Sequence, residues 1–165
     1  MPMTSDELLD FLASNGIEAK TVTHPPLATV AESQMLRGQI AGGHTKNLFL
    51  KDKKSRYFLI TVEEEAVVDL KTIHQIIGAS GRVSFGSADA MMDMLGVSPG
   101  AVTLFGVIND RDHQVTVIVD SALMEETTIN AHPLVNTATT SIARADLLRF
   151  FTLSGHEPVV LKVSA

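Results

Sequence analysis

Residues 42–50 combine a flexible backbone with a cationic and an amide side chain at the start of an apolar run. Two glycines precede Lys46 and Asn47, and Leu48-Phe49-Leu50 follows directly. Glycine permits positive φ and close approach of the backbone to a ligand, while an ammonium and an amide can bind an anionic group. The pattern therefore predicts a site for an anionic ligand. A simple turn, followed by a strand whose lysine is solvated, has the same sequence.

Two other stretches carry polar groups next to apolar runs. His132-Pro133 is followed by five hydroxyl or amide side chains within residues 136–141. These groups could line a polar pocket, or they could form a strand-end turn in which threonine serves β propensity. Ser98-Pro99-Gly100 is either a plain turn or a glycine loop that presents backbone N–H groups.

Several familiar chemistries do not fit the residues. A phosphate-binding P-loop requires lysine directly after the second glycine and then a helix, but His44 follows Gly43 and a strand pattern comes next. The six histidines lack the i, i+4 spacing of a helical zinc pair, so no metal ligands are expected. There is no G-x-S-x-G motif of the common serine hydrolases. Residues 63–65, all glutamate, are most simply a solvated turn.

Length, composition and net charge indicate what kind of protein this is. A chain of 165 residues with 45% hydrophobic and 19% charged residues predicts one globular domain, residues 1–165. No run is long and apolar enough for a membrane span, no signal pattern opens the chain, and there is no cysteine, so we expect a cytoplasmic protein away from membranes. The net charge of −6 argues against broad nucleic-acid binding but leaves room for a small site that binds one end of a nucleic acid.

The elements that must position these groups follow from periodicity, caps and turn residues. Helices are predicted from the capping box Thr4–Glu7 to Gly16, from the capping box Thr29–Glu32 to near Gly38, and over 68–77, 88–95 and 142–153. Strands are predicted over 17–23, 46–51, 56–62, 82–85, 101–105, 114–119, around 127–130 and 137–142, and over 158–163. Hairpins dominate the middle of this order, so the fold class is α/β (α+β), with a central mixed, mostly antiparallel sheet flanked by helices.

Four segments together resemble one family. They are His24-Pro25-Pro26-Leu27-Ala28-Thr29-Val30-Ala31-Glu32, Lys46 to Asp52, Val97-Ser98-Pro99-Gly100-Ala101-Val102-Thr103, and His132 to Thr139. Their order and spacing resemble the YbaK/prolyl-tRNA editing domain superfamily, and within it they are most similar to the free-standing Ala-tRNA(Pro) deacylases. The resemblance covers nearly the whole chain. It implies a compact α/β domain with a central mixed sheet.

The resemblance also implies a reaction. Family members hydrolyse the ester that joins a wrong amino acid to the 3′-terminal adenosine of proline tRNA, without a cofactor. The implied partners are the acceptor end of tRNA(Pro) and, for delivery, prolyl-tRNA synthetase. Carried over by residue, Lys46 engages the terminal nucleotide, His132 shapes the aminoacyl pocket, and Gly100 presents N–H groups. The same resemblance assigns substrate binding to Thr45, Asn47, Ala101, Val102, Asn136 and Thr137.

The chain departs from the family at one point, because Leu104 stands where the family's G-x-x-x-P loop has proline. An aminoacyl ester is already activated, so a positioned water and a stabilised oxyanion suffice for hydrolysis. A small pocket that rejects proline by size would supply selectivity that a synthetase cannot reach by binding alone. Two alternatives stay open, namely hydrolysis of Cys-tRNA(Pro) and a non-catalytic module that binds tRNA or the synthetase.

Overall fold

The computed structural model describes residues 2–26, 35 and 38–165, and its strands form an eight-stranded sheet. The strands are β1 (Ala19–Thr23), β2 (Gly43–Lys51), β3 (Tyr57–Glu63), β4 (Ser84–Phe85), β5 (Val115–Asp120), β6 (Thr128–Ala131), β7 (Ala138–Ala143) and β8 (Val159–Leu161). Their order in the sheet is β1-β7-β6-β2-β3-β5-β8, and β4 also pairs with β2.

The sheet is mixed. Neighbours β1–β7, β6–β7, β2–β3 and β2–β4 are antiparallel, whereas β2–β6, β3–β5 and β5–β8 are parallel. The β2–β3 hairpin is the longest pairing, running from Thr45↔Glu63 to Lys51↔Tyr57. The predicted mixed and mostly antiparallel sheet with flanking helices is confirmed.

Four α-helices are described: α1 (Ser5–Ser14), α2 (Ile73–Ile77), α3 (Ala88–Leu95) and α4 (Arg144–Leu153). The capping box predicted for α1 is present, since the Thr4 hydroxyl accepts from the Glu7 amide and the Glu7 carboxylate accepts from the Thr4 amide. The Ser87 side chain caps α3 by accepting from the Ala90 amide, and Gly96 ends that helix in the left-handed conformation. None of the described helices is long and apolar enough to cross a membrane.

Apolar side chains pack on both faces of the sheet. On one face, Phe49 and Leu59 pack with α1, α3 and α4, whose buried residues include Leu8, Leu12, Leu95, Leu147 and Phe150. On the other face, Leu50, Phe58, Ile60 and Ile118 pack with Ile73 of α2 and with Val163. Successive strand residues point to opposite faces, so each position on β2 has its side assigned by these two clusters.

Three element predictions need correction. The strand predicted over 101–105 is wrong, because this segment forms 3-10 helices at Pro99–Ala101 and Leu104–Asn109. A short apolar run that is buried on all sides has no period to distinguish a strand from a tight helix. The helix predicted over 68–77 is only Ile73–Ile77, and β2 begins at Gly43, three residues earlier than predicted. The helix predicted from Thr29 to near Gly38 lies largely outside the described residues.

The tip of the β2–β3 hairpin is organised by a buried carboxylate. Asp52 accepts hydrogen bonds from the Lys54, Arg56 and Ser80 amides and from the Arg56 guanidinium at 2.8–2.9 Å. Burial alone would raise the pKa of Asp52, but these donors outweigh it and lower the pKa to about 2. Asp52 therefore joins the hairpin tip to the loop after α2.

Asp52→Asn should lower the free energy of unfolding by about 2 kcal/mol near pH 7, because an ionised acceptor for several donors is lost. The folded pKa of about 2 lies below the unfolded value of about 3.9. The stabilisation is therefore complete above about pH 4 and diminishes as pH falls toward 2. Urea unfolding near pH 7 and near pH 3 would measure a difference from wild type that shrinks in acid. Asp112→Asn, at an exposed position, is the control. A difference that stays constant with pH would contradict the role of the Asp52 charge.

Candidate functional site

Parallel strands β2 and β6 pair over only two residues and then diverge. The pairs are Gly43↔Ile129 and His44↔Asn130, and the same edge of β2 next pairs with β4 at Leu50. Between these points, residues 45–49 have no partner strand on that edge in the described part of the chain. Ligands in open sheets commonly bind where parallel strands separate beyond their carboxyl ends. We call this gap the β2–β6 opening.

Lys46 and His132 occupy equivalent positions at the opening. Each lies two residues beyond the last paired residue of its strand, which is His44 in β2 and Asn130 in β6. The turn after β3 neighbours both side chains. Ala66 of this turn accepts a 2.6 Å hydrogen bond from Lys46 Nζ, and the Glu64 carboxylate acts electrostatically on His132. The two residues that the family resemblance singled out thus both neighbour the turn that follows β3.

Asn130 secures the closed end of the opening. Its Nδ2 donates to the Ala41 carbonyl at 3.1 Å, its backbone carbonyl accepts from Thr45 Oγ1 at 2.8 Å, and its Oδ1 accepts from Ser141 Oγ. Gly42 has φ +109° and fits tightly here, because a Cβ would lie 2.8 Å from the Thr128 carbonyl oxygen. Gly42 is therefore required for packing on β6, and the Thr45 hydroxyl is engaged with the protein itself.

Residues Val102 and Thr103 lie between the two diverging strands. The Val102 carbonyl accepts a long 3.5 Å hydrogen bond from Asn47 Nδ2 on β2, and Thr103 Oγ1 donates to the His132 carbonyl at 2.6 Å. We call this pair the wedge. It connects both sides of the opening at the positions that β-sheet pairing leaves empty.

The Gly100 turn projects from the wedge toward Asn136. A Cβ on Gly100 would lie 3.6 Å from Asn136 Nδ2, which is ordinary contact, and Gly100 does not have a positive φ. The turn therefore does not require glycine for its backbone. The buried Ala101 donates its amide to the Ser98 carbonyl at 2.9 Å. Gly100 is an exposed residue, so its amide is the one in this turn to consider for an incoming oxyanion.

With Leu104 in place of the family proline, the loop keeps a backbone conformation that proline would also adopt. Thr103 is extended, with φ −154° and ψ 149°, and Leu104 is the first residue of a 3-10 helix. A proline at 104 would favour this same combination, because it restricts the residue before it to extended conformations and suits the first helical position. The Thr103 hydroxyl also accepts from the Phe105 amide at 3.3 Å. The Leu104 side chain itself is fully buried in the core.

Lys46 and Asn47 point to opposite faces of the sheet. Lys46 alternates with Leu48 and Leu50 on the α2 side, whereas Asn47 shares the face of Phe49. Asn47 Oδ1 accepts a 2.6 Å hydrogen bond from Thr61 Oγ1 on β3. The sequence suggested one cluster made by adjacent residues. In the structure, Lys46 instead contacts the turn after β3, and Asn47 contacts the wedge.

The corner after β6 has an unusual backbone. The His132 carbonyl accepts from the Leu134 amide at 3.0 Å, a tight turn centred on Pro133. Leu134 has φ +69° and is only 7% exposed. A buried leucine in the left-handed region stores strain, which proteins tolerate where the surroundings hold it and which is common at functional sites.

His24 lies next to His132. From the sequence, His24 belonged to a family-like segment but had no predicted role at the site. The two rings lie 6.2 Å apart between centroids, and His24 Nε2 contacts Thr139 Oγ1 at 2.9 Å. The backbone amide of His24 donates to the carbonyl of the exposed Thr137 at 2.8 Å. The proline pair at 25–26 was the only signal that His24 has a constrained position.

His132 is poised as a neutral imidazole. Burial lowers its pKa and so does the neighbouring His24, while the hydrogen bond to the Ala138 carbonyl and the Glu64 carboxylate act in the opposite sense; the net pKa is below 6.5. A carbonyl can only accept, so His132 Nδ1 carries the hydrogen in its 2.9 Å contact with Ala138. Its Nε2 is then the acceptor nitrogen. Among the described residues, no group of three His, Asp or Glu side chains is arranged to hold a metal ion.

The part of the chain that forms the sheet and the opening matches a known family of domains. Residues 24–150 match the family model of the aminoacyl-tRNA editing domain, a range that includes both sides of the opening and the wedge. The chain belongs to the aminoacyl-tRNA editing domain family. The resemblance drawn from its four sequence segments is confirmed.

Relatives of known name span nearly the same length. The chain is 36% identical over 157 residues to prolyl-tRNA synthetase associated domain-containing protein 1 of Danio rerio, covering 94% of this chain and 85% of that protein. It is 32% identical over 136 residues to the prolyl-tRNA editing protein ProX of Acetoanaerobium sticklandii, covering 82% of each. A solved structure described as a candidate trans-editing enzyme for prolyl tRNA synthetase has a TM-score of 0.68, with 18% identity and 96% of each chain covered, and it supports the fold.

The His132 ring should titrate with a midpoint below the ordinary histidine value of about 6.5. The pKa of His132 is lower in the folded protein than in the unfolded chain. As pH falls through about 6.5, the unfolded chain therefore binds more protons than the folded protein. His132 should thus reduce the free energy of unfolding as pH falls through this range. NMR of the imidazole, assigned with His132→Asn, would measure the midpoint. Glu64→Gln removes a charge that raises the pKa and should lower the midpoint further. A midpoint at or above 6.5 in the wild type would contradict this environment.

Proposed function

We propose that this single-domain chain is a trans-editing deacylase that hydrolyses the ester of mischarged Ala-tRNA(Pro). The observation that carries the proposal is the family match over residues 24–150, because it contains every residue around the β2–β6 opening. The named relatives add support, since one is a prolyl-tRNA editing protein and another is named as associated with prolyl-tRNA synthetase.

The proposed chemistry needs little from protein side chains. An aminoacyl ester is activated, so a positioned water and donors aimed at the developing oxyanion lower the barrier. In the proposal the Gly100 amide is such a donor. Lys46 leaves the Ala66 carbonyl to bind the terminal nucleotide's phosphate, which attracts an ammonium more strongly than a neutral carbonyl does. The substrate's own ribose hydroxyl assists the water.

Selectivity in this proposal comes from size. Because a missing methylene changes binding by only about 1–3 kcal/mol, a synthetase site for proline cannot exclude alanine strongly. A second pocket that admits alanine and rejects proline corrects the error. The corner at His132 and Leu134 is a suitable wall, because its hydrogen bonds and core packing leave it little freedom to yield to a larger acyl group.

The charge of the chain bears on how the tRNA is held. With a net charge of −6, few phosphate contacts are expected, so affinity for tRNA should be modest. Delivery of the tRNA by prolyl-tRNA synthetase would compensate, and this belongs to the proposal.

Loss of labelled alanine from Ala-tRNA(Pro) should be rapid, while Pro-tRNA(Pro) should persist. Cys-tRNA(Pro) run in parallel decides the nearest alternative, since faster loss of cysteine than alanine would assign the chain to cysteine editing. Tight tRNA binding with all three esters intact would replace the proposal with a non-catalytic module.

Lys46→Ala should lower kcat/KM for Ala-tRNA(Pro) by roughly two orders of magnitude, the scale of one lost electrostatic group at a reacting centre. Lys71→Ala removes the same charge at an exposed position near α2 and should leave the rate unchanged. Urea unfolding of both variants would show whether loss of the bond to Ala66 alters stability. Near-normal turnover by folded Lys46→Ala would refute the role of this ammonium.

A further inference from the structure

The wedge connects two strands that, among the described residues, do not pair with each other beyond His44 and Asn130. Beyond His44 and Asn130 the separation of β2 and β6 depends on what lies between them. Asn47 reaches the wedge through a 3.5 Å contact, which is weak, whereas Thr103 Oγ1 reaches the His132 carbonyl at 2.6 Å. The firm attachment is therefore on the β6 side, at the strained corner.

The hydroxyl and the backbone carbonyl of Thr103 both make hydrogen bonds within the protein. Its hydroxyl donates to His132 and accepts from the Phe105 amide, and its own carbonyl accepts from the Gly106 amide at 3.0 Å. The side chain is fully buried, with no alternative partner in water. A buried hydroxyl held by a donor and an acceptor has one orientation, so it fixes the distance between the elements it joins.

We expect the corner at His132 to shift if the hydrogen bond from the Thr103 hydroxyl to the His132 carbonyl is removed. Its backbone is strained at Leu134, and its carbonyl is shared between the Thr103 hydroxyl and the Leu134 amide. Removing one of the two donors weakens the arrangement that holds the strained backbone at Leu134 in place. The Gly100 turn lies three residues before Thr103 on the same short segment, so displacement of Thr103 changes both sides of the site at once.

We propose that Thr103 is a positioning residue that sets the width of the opening, and through it the size limit on the acyl group. This inference rests on the proposed deacylase function. Thr103 acts through His132 and Gly100 and need not touch substrate. Its hydroxyl keeps the His132 corner and the Gly100 turn at the distance that accommodates alanine and excludes proline.

The test compares Thr103→Val, which keeps the shape and removes the hydroxyl, with Thr103→Ser, which keeps the hydroxyl. Thr152→Val is the matched control, because Thr152 Oγ1 also donates to a backbone carbonyl, that of Leu148, on α4. Single-turnover cleavage of Ala-tRNA(Pro) and Pro-tRNA(Pro) would be measured for each, together with urea unfolding.

Thr103→Val should lower the cleavage rate of Ala-tRNA(Pro) at saturation roughly tenfold, as expected for a lost buried hydrogen bond that orients reacting groups. Its preference for alanine over proline should fall by a similar factor. Thr103→Ser should restore most of both quantities, and Thr152→Val should change neither. A purely structural role predicts a loss in proportion to the unfolded fraction with the preference intact, and that result would overturn the inference.

A readout that needs no activity separates this inference from the proposed function. NMR titration should show a higher His132 midpoint in Thr103→Val than in wild type, because a looser corner relieves the burial that lowers this pKa. The ring also faces His24 and Glu64, which both variants retain. If wild type cleaves no ester, the deacylase proposal fails. If the His132 midpoint is the same in Thr103→Val as in wild type, the positioning role fails, whatever the activity.

Discussion

The separation of two parallel strands is the constraint on which this site depends. Strands β2 and β6 share only two residue pairs, after which the backbone groups on the facing edges must find other partners or water. Side chains supply two of those partners, Thr45 for the Asn130 carbonyl and Thr103 for the His132 carbonyl, and Asn47 attaches β2 to the wedge at Val102. A regular sheet at this position would have no room for a ligand. The gap brings Lys46 and His132 to equivalent places on its two sides.

The rigid and the adjustable parts of the opening are distributed unequally. Its closed end is tight, because Asn130 makes three hydrogen bonds and Gly42 fits where a Cβ would collide with β6. Its far end relies on the wedge and on a corner that holds a buried leucine at positive φ. Strain of this kind persists only where packing and hydrogen bonds over-determine the backbone. The part of the site that bounds a small acyl group is therefore also the part whose geometry a single hydroxyl can alter.

Much of the fold and the family could be obtained from local sequence signals. The capping box at Thr4, the cap at Ser87, and the alternating runs of β2 and β3 correctly predicted their elements, because caps and periodicity depend on residues near in sequence. The family likewise followed from four short segments in order. The segment after Gly100 was predicted as a strand and is not one. Its apolar residues are buried on all sides, so their pattern does not distinguish the two conformations.

By itself, the sequence determined which residue types were available: a lysine and an asparagine entering a strand, a glycine turn, and a His-Pro corner with hydroxyls after it. Only the tertiary structure decided how they are combined. It set Lys46 against the turn after β3 and Asn47 against Val102, placed His132 across the opening from Lys46, added His24, and joined Thr103 to the His132 carbonyl. The physical reason is that the pairing of strands distant in sequence sets these neighbours. Alternation along a strand already puts adjacent residues on opposite faces, but the point at which two strands part depends on the pairing of segments distant in sequence.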